Sequence, residues 1–407
     1  MLRPLDRQAQ PGLGVVTAYR DGIVTLRSNR REDGYTFSDT ENGYQEIRPG
    51  DLVFHALDGF AGAVGVSDSH GNASPVYHVC ESVADDDLTY LARLLRHLGT
   101  SGFLATQAPN VRERSVDFRN WSTFARIPLA LPPADEQRAI AGYLDRETAR
   151  IDTLIEEQQR LIEMLRGRRK ALVEMAVFSG LEGAPMKNNA EPWLPQTPSH
   201  WRVMQLGFMS DTVAGYAFPS DGFSADEAHV RLLRGVNVKP GKINWTDTVY
   251  WDVEAAAIPS EFVLEVGDLV FGMDRPFVGG GVRVAAISDD DLPALLLQRV
   301  MRIRANDEAG RGYMHYVMST DAFFNYLQPL FTGVSVPHVS EWQVRKFKMP
   351  FPPLGEQKSI AAYLDKQTAK IDALIEETER FVELARERRS ALITAAVTGQ
   401  IDVREMV

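Results

Sequence analysis

The sequence predicts an α+β fold with two globular domains. These are separated by two long antiparallel helices that form an intramolecular coiled coil, within a pseudo-two-fold tandem repeat. Three observations lead to this prediction. A helical block occurs twice, each copy carries a seven-residue apolar period, and the regions ahead of the two copies are rich in short β-branched segments.

The composition is that of a globular protein with more than one domain. The chain has 407 residues, of which 44% are hydrophobic and 24% are charged, and this length exceeds one ordinary hydrophobic core. Its apolar runs fall short of the roughly 18 residues that a membrane-spanning helix needs. The first residues lack the basic and then apolar order of a signal peptide. We therefore expect a cytoplasmic protein with no membrane partner.

Charge and cysteine content narrow the classes of protein further. The formal net charge is −11 and the pI is near 5.3, which argues against coating DNA by electrostatic attraction alone. It does not exclude DNA binding, because potential is local and a separate subunit can supply phosphate contacts. Cys80 is the only cysteine, so no disulfide or zinc knuckle forms within one chain, and we expect its side chain to be buried.

The chain contains a tandem duplication. A block that begins at Pro132 with PPADEQRAIAGYLDRETARIDTLIEE returns at Pro352 as PPLGEQKSIAAYLDKQTAKIDALIEE, and about half of the aligned positions in the full blocks are identical. The pentapeptide Gly-Asp-Leu-Val-Phe precedes each copy, first at 50–54 and again at 267–271. Each half therefore has the same order, a variable region followed by a helical block.

The variable regions are predicted to be α+β globules. Short β-branched segments bounded by Gly, Pro, Asn or Asp indicate strands, and helical stretches interrupt them. The predicted strands include 15–19, 23–26, 51–54, 268–271, 282–287 and 300–303, and the predicted helices are 88–98 and 313–326.

Each repeated block is predicted to be one helix of about 40 residues, roughly 60 Å long at a rise of 1.5 Å per residue. Apolar residues follow alternating steps of four and three, as in a coiled coil. A Pro-Pro pair with a cap at Asp135 or Gly355 marks each start, and Gly180 and Gly399 mark the ends. The predicted seam consists of Ile140, Leu144, Ile151, Ile155, Ile162, Leu165, Leu172, Ile360, Leu364, Ile371, Ile375, Val382 and Leu392.

The two long helices are expected to pair with each other. A long helix with a narrow apolar stripe is not stable alone in water, and the most economical partner is the other copy, running antiparallel. Polar residues interrupt both stripes at matching places. We expect these residues to fix the register, and the alternative is that they are tolerated near frayed or exposed stretches. They are Thr148 with Thr368, Gln158 with Thr378, and Arg169 with Arg389.

These features resemble the specificity-subunit family of Type I restriction-modification systems. The pattern PP-x-x-EQ-x-x-IA-x-YLD-x-x-TA-x-ID-x-LI-EE, present at 132–157 and at 352–377, carries the resemblance. The two Gly-Asp-Leu-Val-Phe strands and the segment TGVSVPH at 332–338 strengthen it. The resemblance covers nearly the whole chain.

The resemblance implies a non-catalytic subunit that binds double-stranded DNA. Each globule would be a target-recognition domain that reads one half of a bipartite, asymmetric site. The helices would set the spacing and dock two adenine-methylating modification subunits, and restriction subunits would translocate and cut DNA. S-adenosylmethionine, ATP and Mg would bind to those partners, so no cofactor or metal is expected here. The implied domains are 1–130 and 199–350 for recognition, 131–180 for the first helix, 181–198 for a linker, and 351–407 for the second helix and tail.

The first half departs from the family pattern at its beginning. The second half opens with a strand at 198–207 and some 25 residues before the strand at Arg231, whereas Met1 falls near the equivalent of Arg231. We therefore expect the first recognition domain to lack its opening strand and the following loop. Either the true start lies upstream or this copy is truncated.

The candidate DNA contacts are basic and amide side chains in loops. Arg and Lys read guanine, Asn and Gln read adenine, and phosphate contacts fix orientation. The resemblance places DNA contacts in the loop before the second helix and in the matching loop of the first domain. Solvated surface charge is the alternative for any single residue. The candidates are Arg27, Asn29, Arg30, Arg31, Asn110, Arg112 and Arg114 in the first domain, and Arg234, Asn237, Lys239, Lys242, Arg275, Arg283, Ser335 and His338 in the second.

Catalytic motifs are not found in the sequence. The chain contains neither the Asn-Pro-Pro-Tyr or Asp-Pro-Pro-Tyr tetrapeptide of an adenine methyltransferase nor a phosphate-binding G-x-x-x-x-G-K-[ST] loop. The glycine-rich stretch 277–282 is interpreted as a turn between strands, and the acidic run 289–291 as a hairpin cap rather than a metal site. The alternative function is a duplicated coiled-coil adaptor that binds proteins rather than DNA.

Overall fold

The structure is a computed structural model that describes residues 1–30, 43–108, 111–112, 115–254, 258–279, 281–307, 310–333 and 336–403. The chain divides into two compact units. Unit 1 comprises Met1–Arg160 and Glu379–Val407, and unit 2 comprises Leu161–Thr378. Among the described helices, none combines the length and the apolar character that a membrane span requires.

Unit 1 contains short strands and helices ahead of the first long helix. Its strands are β1 Leu2–Pro4, β2 Val16–Ala18, β3 Val24–Leu26, β4 Gln45–Ile47, β5 Leu52–His55, β6 Val64–Val66, β7 Gly71–Ala73, β8 Tyr77–Ser82, β9 Val111–Arg112 and β10 Ser115–Val116. Its helices are α1 Leu88–Thr100, α2 Phe103–Gln107, α3 Trp121–Phe124 and the first part of α4 Ala134–Ser179.

Unit 2 contains the end of α4 and a larger set of strands. The strands are β11 Met186–Glu191, β12 Leu194–Pro198, β13 Arg202–Gln205, β14 Ser210–Ala214, β15 Val230–Leu233, β16 Val238–Lys239, β17 Lys242–Ile243, β18 Val249–Trp251, β19 Leu269–Gly272, β20 Phe277–Val278, β21 Gly281–Val282, β22 Val284–Ala286, β23 Ala294–Leu296, β24 Val300–Ala305 and β25 Lys348–Phe351. The helices are α5 Arg311–Met318, α6 Asp321–Leu327, α7 Glu341–Arg345 and α8 Leu354–Val397, which continues into unit 1.

Both units contain a four-stranded antiparallel sheet with the same strand order. The order is β1-β8-β5-β6 in unit 1 and β14-β24-β19-β22 in unit 2. The Gly-Asp-Leu-Val-Phe segments supply the equivalent strands β5 and β19. A mixed α and β fold is therefore confirmed, and the repeated sheet agrees with the duplication in the sequence.

The core of each unit lies between its sheet and the long helices. In unit 1, Phe54 of the sheet and Leu91 of α1 belong to one buried cluster with Leu144 of α4 and Val397 of α8. Unit 2 repeats this packing with residues of α5, α4 and α8. Cys80 lies in the unit 1 cluster as expected, and burial raises the pKa of its thiol to about 12.

Two tyrosines bind the ends of the long helices in equivalent ways. In unit 1 the Tyr90 hydroxyl of α1 donates to the carbonyl of Val397, the last residue of α8, at 3.2 Å. In unit 2 the Tyr313 hydroxyl of α5 donates to the carbonyl of Val177 near the end of α4 at 2.9 Å. Carbonyl groups in the last turn of a helix have no partner within the helix, so each globule satisfies one of them.

Segments of α4 and α8 run antiparallel within each unit. In unit 1, Ile151 and Ile155 of α4 form a buried cluster with Val382 and Ala385 of α8. In both units the start of one long helix joins the core together with the end of the other. Every predicted seam residue is buried or half-buried, and the assignment of these residues to one coiled-coil seam stays a prediction.

The predicted N-caps of the long helices are wrong by about two residues. Asp135 and Gly355 lie inside the first turns, because α4 begins at Ala134 and α8 at Leu354. The carbonyls of Pro133 and Pro353 accept the first helical hydrogen bonds, both at 3.0 Å. The predicted helix ends lie closer to the observed ones, since Gly180 directly follows α4 with a φ of +77°.

The glutamine of the repeated Glu-Gln motif explains why each helix starts where it does. Gln137 and Gln357 are both buried. The Gln137 amide donates to Pro132 O at 3.0 Å and to Asp86 Oδ1 at 2.9 Å, and the Gln357 amide donates to Pro352 O at 2.8 Å. Each side chain therefore ties the Pro-Pro turn to its helix.

Two further sequence predictions need correction. The stretch predicted as one helix at 313–326 is two helices, α5 and α6. The alignment of Met1 with Arg231 is also wrong, because Leu2–Pro4 forms the sheet strand that corresponds to Ser210–Ala214.

Candidate nucleic-acid interface

Three loops of unit 2 meet where β19 ends and β24 begins. We call residues 234–244 loop A, residues 273–276 loop B and residues 336–338 loop C. The backbone N–H of Met273 donates to Arg299 O at 3.0 Å, and that of Arg275 donates to Pro337 O at 2.7 Å. Asp274 and His338 also form an antiparallel bridge. Loop B, loop C and Arg299 therefore share one hydrogen-bonded backbone platform.

Side chains join the same three segments. His338 Nδ1 lies 2.6 Å from Asp274 Oδ1. Arg299 Nη1 lies 3.2 Å from Nε2 and 3.4 Å from Nδ1 of His338, so the guanidinium rests against the face of the imidazole ring. Arg299 Nε is 3.9 Å from the other carboxylate oxygen of Asp274.

Arg275 and Arg299 both have left-handed backbone conformations. Their φ angles are +44° and +69°, and they are the only non-glycine residues with positive φ in the described part of the chain. Residues with a Cβ are strained in this region of backbone space. Strain of this kind persists only where the surroundings enforce it, and it is concentrated at functional sites.

Asn237 and Arg283 are buried, which contradicts the prediction that their side chains are presented to DNA. Asn237 is 1% exposed, and its amide donates to Asn244 O at 2.9 Å and Asp247 O at 2.8 Å. Arg283 is 7% exposed, and it donates to Val238 O at 3.0 Å and Asp274 O at 2.7 Å. Burial lowers the pKa of the Arg283 guanidinium. These residues shape loop A and tie it to loop B.

The other described candidates of unit 2 are accessible. Arg275 and Lys242 are exposed, and Lys239 is half-buried. Arg234 forms an ion pair with Asp247 at 2.5 Å. Lys239 and Lys242 flank the turn between β16 and β17, so loop A adds positive charge to the edge that carries Arg275 and Arg299. These residues stay candidates for DNA contact.

Three candidates of unit 1 follow strand β3. Arg30 forms an ion pair with Asp21 and its guanidinium lies 4.5 Å from the centre of the Tyr19 ring. Asn29 donates to Thr25 Oγ1 at 2.9 Å, and Arg27 donates to Thr17 Oγ1 at 3.4 Å. Arg27 and Arg30 line a cleft of about 670 Å³ in this unit. The loop is therefore ordered by local contacts and still borders an open cleft.

The remaining candidates cannot be placed in this way. Arg31, Asn110, Arg114 and Ser335 lie outside the described residues, and for Arg112 only the backbone in β9 is described. They stay predictions.

Comparisons with known proteins agree with this architecture. Residues 252–383 match the family model for the Type I restriction modification DNA specificity domain. The Type I restriction enzyme MjaVIII specificity subunit of Methanocaldococcus jannaschii is 28% identical over 305 residues, which are 75% of this chain and 68% of that protein. The EcoAI specificity subunit of Escherichia coli is 31% identical over 184 residues, 45% of this chain and 30% of that protein.

The chain is similar in sequence to Type I restriction-modification specificity subunits, and residues 252–383 carry the match to the DNA specificity domain of that family.

Solved structures support the same fold. One neighbour, from a study of complex assembly and conformational transition of the Type I restriction-modification system, has a TM-score of 0.67 at 17% identity and covers 87% of this chain and 83% of its own. The HsdS subunit of Thermoanaerobacter tengcongensis has a TM-score of 0.51 at 19% identity, covering 88% and 82%. The chain therefore shares its fold with these two proteins despite low sequence identity.

Sequence reasoning missed two members of the platform. Arg299 lies in the stretch Leu-Leu-Gln-Arg-Val, where neither glycine nor asparagine signals a left-handed residue. Asp274 was passed over because an acidic side chain does not suggest DNA contact. A signal for Asp274 existed in the sequence Met-Asp-Arg-Pro, which follows strand β19 directly, since loops that follow sheet strands carry functional residues.

Proposed function

We propose that the chain is the DNA-recognition subunit of a Type I restriction-modification complex, in which each unit reads one half of a bipartite, asymmetric site. One observation carries this proposal. The same four-stranded sheet is built in both units against the long helices, whereas the loops at its edges differ in sequence. A shared scaffold with different loops suits a protein that reads two different half-sites in one way.

The long helices set the spacing between the half-sites in this proposal. We propose that the antiparallel segments of the two units belong to one continuous coiled coil. Equivalent ion pairs support a single register, since Arg389 Nε is 2.8 Å from Asp152 Oδ1 in unit 1 and Arg169 Nε is 2.7 Å from Asp372 Oδ1 in unit 2. Paired polar groups at a helix seam specify alignment better than apolar contacts alone.

The helices also dock two modification subunits in the proposed complex. Large apolar side chains remain exposed at repeat-equivalent positions, although the apolar seam is already packed. They are Leu154 with Leu374 and Met164 with Leu384. We propose that they belong to the apolar surfaces that the modification subunits cover, since contiguous exposed apolar patches mark protein-binding sites.

The chain itself is proposed to be non-catalytic. S-adenosylmethionine, ATP and Mg are assigned to partner subunits, and restriction subunits complete the complex. A cytoplasmic location stays a prediction. The alternative of a protein-binding adaptor is favoured by the exposed apolar residues, but it gives no role to the strained arginine platform of unit 2.

Methylation mapping tests the function directly. DNA is sequenced with modification detection from cells that express this chain with its modification subunits, and from cells that express the modification subunits alone. We expect a split asymmetric motif, methylated on both strands, only when the chain is present. A chain that co-purifies with other proteins but directs no such motif would instead be an adaptor.

A further inference from the structure

We propose that Arg299 reads a guanine in the half-site recognised by unit 2, and that Asp274 and His338 are positioning residues that hold its guanidinium in the reading orientation. This inference rests on the proposed function, because it names one base contact within it. Arg299 extends the set of candidates predicted from the sequence.

The first argument is that the side chain of Arg299 is accessible to solvent while its backbone is held in place. Its side chain is 57% exposed. Its carbonyl accepts a hydrogen bond from Met273, and its φ of +69° is a conformation that a free loop would relax. The position therefore directs a long cationic side chain outward from a rigid edge of the sheet.

The second argument is the direction of the contacts to the guanidinium. Asp274 approaches Nε, and the His338 ring packs against Nη1, with Nε2 at 3.2 Å and Nδ1 at 3.4 Å. No hydrogen bond from Nη2 to a described residue is present, so the outer end of the guanidinium keeps donors for a ligand while Nε and Nη1 face Asp274 and His338. A planar guanidinium presents two parallel donors that match guanine O6 and N7. Orientation by neighbouring groups favours that bidentate contact over a loose contact with phosphate, which needs no fixed fork.

The third argument is the charge of the surroundings. Arg275 on loop B and Lys239 and Lys242 on loop A lie on segments that Arg283 ties together. The carboxylate of Asp274 lies against Arg299 and His338 rather than against these three cations. A chain with a net charge of −11 thus carries a locally basic edge, where Lys and Arg can contact phosphates while Arg299 faces a base.

The test compares variants within the complex of this chain and its modification subunits. Arg299→Gln removes the charge and the fork, Arg299→Lys keeps the charge without the fork, and Asp274→Asn removes the carboxylate charge that orients the fork. Arg202→Gln changes another exposed arginine of unit 2, on β13, and serves as the matched control. Each complex is used for methylation mapping and for binding to oligonucleotides substituted at every half-site position.

We expect Arg299→Gln and Arg299→Lys to relax discrimination at one guanine of one half-site by about 10- to 100-fold, with the other half-site unchanged. Asp274→Asn should relax the same position by a smaller factor, and Arg202→Gln should match the wild type. The untouched half-site shows that the variant complex is folded and assembled. If Arg299→Gln prevents folding, Arg299→Lys decides, because it keeps the charge and most of the aliphatic stem.

Other outcomes overturn the inference. Uniform weakening by Arg299→Gln at all sequences, with full rescue by Arg299→Lys, would mean a phosphate contact. If both Arg299 variants discriminate between half-site sequences as well as the wild type does, Arg299 makes no contact that determines specificity. A wild-type complex that yields no split motif would instead refute the proposed function, so the two failures are distinguishable.

Discussion

Arg169 of α4 donates from Nε to Asp372 of α8 at 2.7 Å. The repeat places the same pair a second time, with Arg389 and Asp152 at 2.8 Å. Two arginines predicted to be polar interruptions of the seam therefore pair with aspartates across it. The alternative, that they are merely tolerated, leaves this duplicated pairing unexplained.

Reversing the charge of Arg169 alone should destabilise the chain, and reversing the charge of Asp372 as well should restore the stability. Arg169→Glu places two negative charges together, and the double variant Arg169→Glu with Asp372→Arg restores an ion pair. Because both groups are partly exposed, we expect a coupling energy on the order of 0.2–1 kcal/mol, measured as a double-mutant cycle in urea unfolding. Arg166→Glu, on the same helix and paired with Glu163 of that helix, is the control. Equal losses in the single and double variants would rule out pairing across the helices.

Truncation of a buried apolar residue of the long helices should lower the free energy of unfolding far more than loss of this ion pair. Leu364 is 0% exposed and packs in the core of unit 2, so Leu364→Ala should lower the free energy of unfolding by about 2–5 kcal/mol. Leu374→Ala, on the exposed side of the same helix, should change it by less than about 0.5 kcal/mol. Chemical denaturation of the two variants checks this, and similar losses would contradict the assignment of the seam.

The exposed apolar residues should matter for assembly rather than for folding. Met164→Asp and Leu384→Asp should leave thermal unfolding almost unchanged, since these side chains make few buried contacts. Each should reduce co-purification of the modification subunits, because a charge in an apolar interface loses its solvation. Gln159→Asp, an exposed polar position on α4, is the control. If the double variant Met164→Asp with Leu384→Asp still co-purifies fully with both modification subunits, this surface is not their docking site.

Stability should depend on pH through His315. Burial lowers the pKa of His315 from 6.5 to about 4, so between about pH 4 and 6.5 the unfolded chain binds a proton that the folded chain does not. Stability from this group is therefore lost as pH falls through that window, by on the order of 1 kcal/mol per pH unit. Urea unfolding of the wild type and His315→Gln at pH 5 and 7 measures the difference. We expect the variant to lose less stability on acidification, and identical pH slopes would refute the prediction.

A matched insertion in both long helices should alter spacing without altering sequence preference. One heptad after Gln158 and one after Thr378 keep the seam in phase and add about 10 Å, roughly three base pairs. Methylation mapping should then give the same two half-sites with a longer spacer. An insertion of the same length in the loop between α4 and β11, which leaves the seam untouched, should not change the motif. Altered half-site sequences would show that the helices are not a simple spacer.

The periodic elements were the predictable part of this chain. Ile140 and Leu364 are both buried, as expected for apolar residues that recur with a seven-residue period, and the duplication supplies two copies of that period. The helix starts were misplaced because Asp135 looks like a cap, while the decisive groups are the Pro133 carbonyl and the buried Gln137. A sequence pattern does not show which backbone oxygen a side chain will reach.

The recognition loops were predictable only as a region. Asn237 and Arg283 have the residue types of DNA readers, yet tertiary contacts bury them, and burial is not visible in loop composition. Arg299 was missed for the opposite reason, since its orientation comes from Asp274 and His338 on segments distant in sequence. Loop chemistry depends on which segments meet, and that information is not local.

Because Arg275 and Arg299 have left-handed backbone conformations, the stability of the fold and the discrimination between DNA sequences place opposite demands on these two positions. Glycine at either position relieves a strained backbone, so variants selected for heat resistance would be enriched in such changes. The same variants would lose a guanidinium from the platform. A thermostable form of this protein obtained by unguided selection would therefore be expected to become promiscuous, and these two positions should be held fixed in any such selection.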